Sequence, residues 1–294
     1  MLIYSTLLVF TALVWGLGFV ETKRLFANFT PLEITFLRFT VATIFSLPVF
    51  ARRKTWAMSG QQIRRAMMMA LLLFLGMYVQ ALGLVYTSAS KSGFITSLYI
   101  VFVPLIELIF FKKKISMIFW VALTIALFGL CFMSGGRVDG INLGDLITLL
   151  GAFIFSFQIL YLSHVASTYP HLDSMELNGL QCLFISIFTG IVILLTGHMP
   201  KLDVLWHVTD HFFSSPLYSL LFLGFFPSFL ALAVQVYCQK KVAAHLAALA
   251  YLLESPFAAL FGVLMLGERL TWFEWTGCGL IGAAVFFVPF MYRK

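Results

Sequence analysis

Apolar residues run along this chain in blocks of about twenty, and polar residues gather in the seams between them. Ten blocks separate, at 2–20, 31–50, 66–86, 92–111, 115–134, 143–163, 177–196, 214–236, 242–266 and 271–291. Within each the apolar run is continuous rather than alternating. As an α-helix rising about 1.5 Å per residue, each block would cross a hydrocarbon core about 30 Å thick. A helix also satisfies its own backbone hydrogen bonds in lipid. A membrane β-barrel would instead show alternating segments of about ten residues, and the chain has none. The pattern predicts an all-α membrane protein of ten transmembrane helices, with almost nothing left for a soluble domain.

Composition agrees with that pattern. Hydrophobic residues make up 61% of the 294, charged residues 11%, and mean hydropathy is +0.99, whereas soluble domains carry about 25% charged residues. A net charge of +7 raises the question of a nucleic-acid partner, but its distribution points to topology instead. If the N-terminus is cytoplasmic, inner loops and the tail hold Arg52, Arg53, Lys54, Arg64, Arg65, Lys112, Lys113, Lys114, Lys240, Lys241, Arg293 and Lys294. The outer loops hold only Lys23, Arg24, Lys91, Arg137, Lys201 and Arg269. That is the positive-inside bias. It places both termini in the cytoplasm and the chain in a lipid bilayer, a bacterial inner membrane by expectation. The N-terminus lacks the basic region and cleavage site of a signal peptide, so the first helix is expected to be retained. Cys131, Cys182, Cys238 and Cys278 fall in separate spans and read as small apolar fillers.

Ten spans invite a search for duplication. LVWGLGF (13–19) resembles FIFSFQI (153–159), and LEITFLRF (32–39) resembles MELNGLQC (175–182). Gln80 pairs with Gln235, KKKIS (112–116) with GERLT (267–271), and Trp120 with Trp275. The predicted halves are 1–136 and 137–294. Five spans per half is an odd number, so the second half must lie inverted relative to the first. Inverted repeats around a midplane cavity are the architecture of alternating-access carriers.

The residues VWGLGF, TFLRF, YTSASKSGFITSLYIVFVP (86–104) and LLESPFAALFGVLMLGERLTWFEWTG (252–277) resemble the EamA-type transporters of the drug/metabolite transporter superfamily, over nearly the whole chain. The resemblance implies two inverted five-helix repeats and a cavity lined chiefly by the first, third, fourth, sixth, eighth and ninth spans. It implies a permease for small metabolites, amino acids or related compounds among them. Lys113 departs from the pattern, because the family's first repeat commonly carries an acid there.

Intramembrane ionisable groups are functional candidates by default. Glu254 leads them, roughly 20 Å from both Lys241 and Glu268. It precedes Pro256, whose ring removes a backbone donor and is expected to free the Leu252 carbonyl. Glu254 reads either as a cavity wall that exchanges protons during transport or as a static partner to another helix. Glu21 and Arg38 lie at similar depth and are expected to form a structural ion pair, with Arg38 a staple on a peripheral span. Glu107 is expected to pair locally with Lys112–Lys114. Gln80, Gln158, Gln181 and Gln235 are neutral helix–helix bonding groups, and Gln80 and Gln235 are raised by the repeat. Trp15, Tyr78, Tyr99, Phe155 and Tyr251 offer an aromatic wall, and Tyr99 coincides with Glu254 when the halves are overlaid. Expected substrate contacts are therefore Trp15, Tyr78, Gln80, Tyr99, Gln158, Gln235, Tyr251 and Glu254.

Gly16–Gly18 and Gly277–Gly279–Gly282 have spacings for close helix approach. His198, His207 and His211, with Asp203 and Asp210, match no metal-site spacing, and no cofactor is expected. An intramembrane enzyme is the competing class, but GxGD, HExxH and GxSxG are absent. A channel-like bundle is the other rival; it does not predict an inverted duplication.

Overall fold

The computed structural model describes residues 2–51, 59–133, 142–197, 199–206, 215–287 and 291. The predicted loop residues His198, His207, Asp210 and His211, and the basic residues Arg52, Arg53, Lys54, Arg137, Arg293 and Lys294, lie outside the described residues.

Among the described residues the fold is all-helical. The first three spans are α1 (Leu2–Leu25), α2 (Pro31–Phe50) and α3 (Gly60–Val85). The fourth is split into α4 (Ala89–Thr96) and α5 (Tyr99–Ile109). The fifth, sixth and seventh are α6 (Met117–Met133), α7 (Leu143–Thr168) and α8 (Ser174–Thr196). The eighth runs through α9 (Pro216–Leu223), a π-helical stretch (Gly224–Ala231) and α10 (Leu232–Gln239). The ninth is split into α11 (Ala244–Tyr251) and α12 (Glu254–Leu266), and the tenth is α13 (Trp272–Phe286). Eight of these spans are long and apolar enough to cross a membrane by that measure alone, and Met117–Met133 is a shorter apolar helix.

Local chemistry sets the ends. Capping boxes start four of the helices: Thr30 with Glu33, Ser59 with Gln62, Asn142 with Asp145, and Thr271 with Glu274. In each, a side-chain oxygen satisfies a backbone N–H that the first helical turn leaves open. Large apolar side chains remain on the outer faces, among them Ile44, Leu47, Ile118, Val121, Leu194, Leu195 and Leu264. In water such a surface would drive aggregation; in a bilayer it meets lipid. The protein is a multi-pass integral membrane protein.

Successive spans alternate in direction. Contacts of Lys23 with Thr87 and of Ala89 with Glu268 gather the turns around 26–30, 86–88 and 267–271 at one end of the bundle, here the upper; those of Lys240 with Leu172 and of Glu107 with Lys113 and His245 gather 110–116, 169–173 and 240–243 at the lower. The clearest trace of duplication is in the split spans. α4 and α5 break at 97–98, and α11 and α12 break at 252–253, the same offset that relates Gln80 to Gln235. The two spans cross at their breaks, where the Ser97 and Ser255 hydroxyls lie 2.6 Å apart and the Ser255 hydroxyl also donates to the Gly93 carbonyl at 2.9 Å. The prolines do not make these matching breaks. Pro256 sits in the first turn of α12, where its missing N–H leaves no helix bond unmade, and Pro104 lies inside α5, beyond the break. The Leu252 carbonyl expected to be free accepts from the Ser255 backbone N–H at 3.2 Å.

The tenth span packs on the fifth through a glycine pair. A Cβ built on Gly277 would stand 2.5 Å from the Gly129 carbonyl oxygen, and one on Gly129 would stand 2.9 Å from that of Gly277. Gly279 and Gly282, grouped with Gly277 by spacing, have nothing within 4 Å of a built Cβ. Gly16 lies against Phe257 and Ala258 of α12, while Gly18 meets only ordinary contacts.

Candidate functional site

A cavity lies between the two halves, with about 70 Å³ open to the centres of water-sized spheres, room for a few small-molecule atoms or several waters. It runs down from Thr22, Ile34 and Leu84 near the upper end to Tyr99, Gln235 and Glu254 at the middle of the bundle. The first, third, fourth, sixth, eighth and ninth spans all contribute to its wall.

Of the expected contacts, the structure brings Trp15, Gln80, Tyr99, Gln158, Gln235 and Glu254 together on this wall, with Phe155 beside them. Glu254 opens α12 directly after the break of its span. The break turns its carboxyl into the cavity, and the Tyr99 side chain stands next to it. Glu254 is 4% exposed, and its Oε1 has no hydrogen-bond partner among the described residues. Gln158 Nε2 and Gln235 Oε1 are likewise buried without partners. Gln80 is different: its Nε2 donates to Thr96 Oγ1 at 2.9 Å. Tyr99 Oη is a fourth such atom; buried polar atoms without partners are uncommon in folded proteins, and four of them on one cavity leave its wall able to bond a polar ligand.

Two expected contacts lie off this wall. Tyr251 is fully buried behind Trp15, with ring centroids 5.0 Å apart, and does not reach the wall. Tyr78 stacks on Phe74 at 5.8 Å and is absent from the wall as well. Met77, Gln80 and Ala81 take the cavity face of α3, and Tyr78, one residue on from Met77, is turned about 100° around the helix.

The expected Glu21–Arg38 ion pair does not form. Glu21 is fully buried, pairs with Arg24 at 3.1 Å and accepts the Ser219 hydroxyl at 2.6 Å. Arg24 lies three residues on, on the same helix face, and fills the role assigned to Arg38. Arg38 instead donates its Nε–H to Ser228 Oγ at 2.9 Å and lines the cavity with Ile34 and Thr35. The second span is therefore part of the wall. The signal was in TFLRF, an arginine inside an apolar block; placing that span at the periphery hid it.

Below the cavity the lower end is held by a cluster that joins the halves. Glu107 is fully buried and bonds Lys113 Nζ at 2.7 Å, as expected of a local pair. It also meets His245 Nδ1 at 2.6 Å, across 138 residues of sequence, and Phe119 packs edge-on against the His245 ring. A recess of about 230 Å³ opens beside this cluster, past His164 and Ser167; Arg65 meets His164 at 3.3 Å. At the upper end Glu268 Oε1 accepts the Ala89 N–H at the start of α4, at 3.2 Å. A carboxylate there faces the positive end of the helix dipole. Lys113, at the corresponding place in the first half, serves Glu107 instead. Lys91 and Asp145 form a second upper contact at 2.6 Å, and Lys23 donates to the Thr87 carbonyl.

The pattern of the EamA-like transporter family matches residues 2–135 and 142–290. An uncharacterized transporter of Archaeoglobus fulgidus is 29% identical over 282 residues, covering 96% of this chain and 84% of its own. The uncharacterized inner membrane transporter YedA of Escherichia coli is 26% identical over 285 residues, covering 94% and 87% respectively. A crystal structure that is 17% identical in sequence superposes with a TM-score of 0.72 over 97% of this chain and 96% of that one. At that identity the likeness shows the fold alone.

Proposed function

The chain belongs to the EamA-like transporter family, and from that premise we propose that it carries a small metabolite, an amino acid or related compound, across a bacterial cytoplasmic membrane by alternating access. It is a membrane transporter, and transport rather than catalysis is what its family and relatives point to. In this reading both termini are cytoplasmic, the upper end is the outer face, and the cavity is in its outward-open arrangement. The lower end is then shut by Glu107, His245 and Lys113. The two matched segments are the halves whose relative motion exposes the cavity to each side in turn.

The observation that carries the reading is Glu254. A carboxyl at mid-depth, on a cavity wall and without a salt-bridge partner among the described residues, is expensive in a bilayer. It is kept where exchange between charged and neutral forms has a use. Coupling transport to protons through this group is the simplest such use.

Proteoliposomes test the proposal. Glu254→Gln keeps the shape and removes the titratable group. Gradient-driven accumulation in that variant should fall at least tenfold while exchange of substrate across the membrane, measured at saturating substrate, persists. Accumulation at the wild-type level would discard proton coupling, and flux that never saturates in the wild type would discard the carrier altogether in favour of a channel.

A further inference from the structure

We propose that Arg38 is the anchor for a carboxylate on the transported molecule, and that Glu254 on the same cavity takes its cationic end. The cargo is then a small apolar zwitterion. This deepens the transport reading above and rests on it for the word cargo; the binding claim stands on geometry.

Arg38 is 8% exposed and inside the apolar block of α2. Its one hydrogen bond within the described residues is from Nε to Ser228 Oγ. No ion pair among the described residues includes it, and the Phe39 ring lies 5.4 Å from its guanidinium carbon. A guanidinium has five N–H donors, so four remain. A cation buried this deeply without a counter-charge is strongly unfavourable. Glu254 poses the same problem with the opposite sign, since it too enters no ion pair within the described residues. Both groups line one cavity. A ligand with a single charge would satisfy one of them and strand the other. A ligand with both charges answers both.

The scaffold behind Arg38 is built to hold it. The π-helical stretch Gly224–Ala231 widens the eighth span, and the Ser228 hydroxyl donates to the Leu223 carbonyl at 2.8 Å. That hydroxyl proton is thus committed, and Ser228 Oγ can only accept from Arg38. Asn178 Nδ2 fixes the same turn by donating to the carbonyls of Ser228 at 3.1 Å and Phe229 at 2.8 Å. With Nε pinned, the two terminal nitrogens are left side by side, the arrangement that grips a carboxylate with two parallel bonds. Between the charges the wall is mostly apolar, with Phe19, Leu73, Met77, Phe155 and Ile159, which fits an apolar side chain.

The test uses purified full-length protein in lipid nanodiscs, and matched probes built on alanine, leucine and phenylalanine. Each set contains the amino acid, its amide (cation only), the deaminated acid (anion only) and the decarboxylated amine. Calorimetry should show at least one amino acid binding tenfold or more tightly than the other members of its set. Arg38→Gln should abolish the preference for that amino acid over its amide, and Glu254→Gln its preference over the deaminated acid. Ser228→Ala frees the guanidinium without deleting it, and should weaken amino-acid binding several-fold with the amide unchanged. That variant carries the test if Arg38→Gln does not fold. Wild-type indifference to the carboxylate across all three sets, or a preference that survives both Arg38→Gln and Ser228→Ala, would overturn the proposal. Discriminating binding without flux in proteoliposomes would sink the transport reading and leave the anchor standing; flux with a preference indifferent to Arg38 would do the reverse.

Discussion

Lys112 and Gly267 occupy equivalent turns in the two halves, and both have left-handed backbones, with φ of 50° and 69°. The bonds around them match too: Lys113 N–H to the Glu107 carbonyl and Glu268 N–H to the Gly262 carbonyl, each 3.1 Å. A side chain in this region is unfavourable by about 1–2 kcal/mol, so only the second half has the residue its turn prefers. Gly267→Ala should lower stability by about 1 kcal/mol, read as a fall in the thermal unfolding midpoint in detergent. Lys112→Gly should leave the midpoint unchanged or raise it, because glycine's greater freedom in the unfolded chain offsets part of the relief. At this scale the sequence was a good guide to which residues matter and a poor one to their partners. Glu254 was legible because a carboxylate stands out in an apolar run. The partners of Glu21 and Arg38 were not, because Ser219 and Ser228 are ordinary in any helix and gain meaning only when folding brings them close.

Helix positions were readable from apolar blocks, and helix interruptions were not. The splits at 97–98 and 252–253 lie inside continuous apolar runs, and neither Pro104 nor Pro256 sits at a split. The π-helical stretch in the eighth span left no pattern either, although it sets the place of Ser228. Glycine spacing was half informative. Of the three glycines on α13, only Gly277 meets the facing helix. Gly277→Val should therefore destabilise the α6–α13 contact by about 1–3 kcal/mol, whereas Gly279→Val should stay within about 0.5 kcal/mol. Unfolding midpoints of the two variants, measured side by side, check this; equal losses would mean that the crossing is not set by backbone contact at Gly129.

The whole molecule is unequal at its two ends. Below, the buried Glu107 joins His245 and Lys113 and bridges the halves; above, Glu268 holds the Ala89 N–H and Asp145 pairs with Lys91, beside a cavity that descends from that side. Weakening the lower cluster should shift the population toward an arrangement open below. With the four native cysteines replaced and Ile159→Cys introduced on the cavity wall, wild-type background protein should react with a charged thiol reagent from the upper side. Adding Glu107→Gln should raise labelling from the lower side several-fold; an unchanged ratio between sides would show that this cluster does not hold the end shut. The inverted arrangement was foreseeable from an odd number of spans per repeat, but this inequality was not. It comes from Lys113 standing where the other half has an acid, and from a histidine that became a partner only through folding. The meeting of Ser97 and Ser255 has a mechanical consequence. In the alternating-access proposal, two broken spans joined there by a short hydrogen bond would serve as a fulcrum, and a rigid half rocking about that point would move least beside the cavity and most at the two rims. A lever of this shape ties the opening of one face to the closing of the other without stretching the bonds that hold the load.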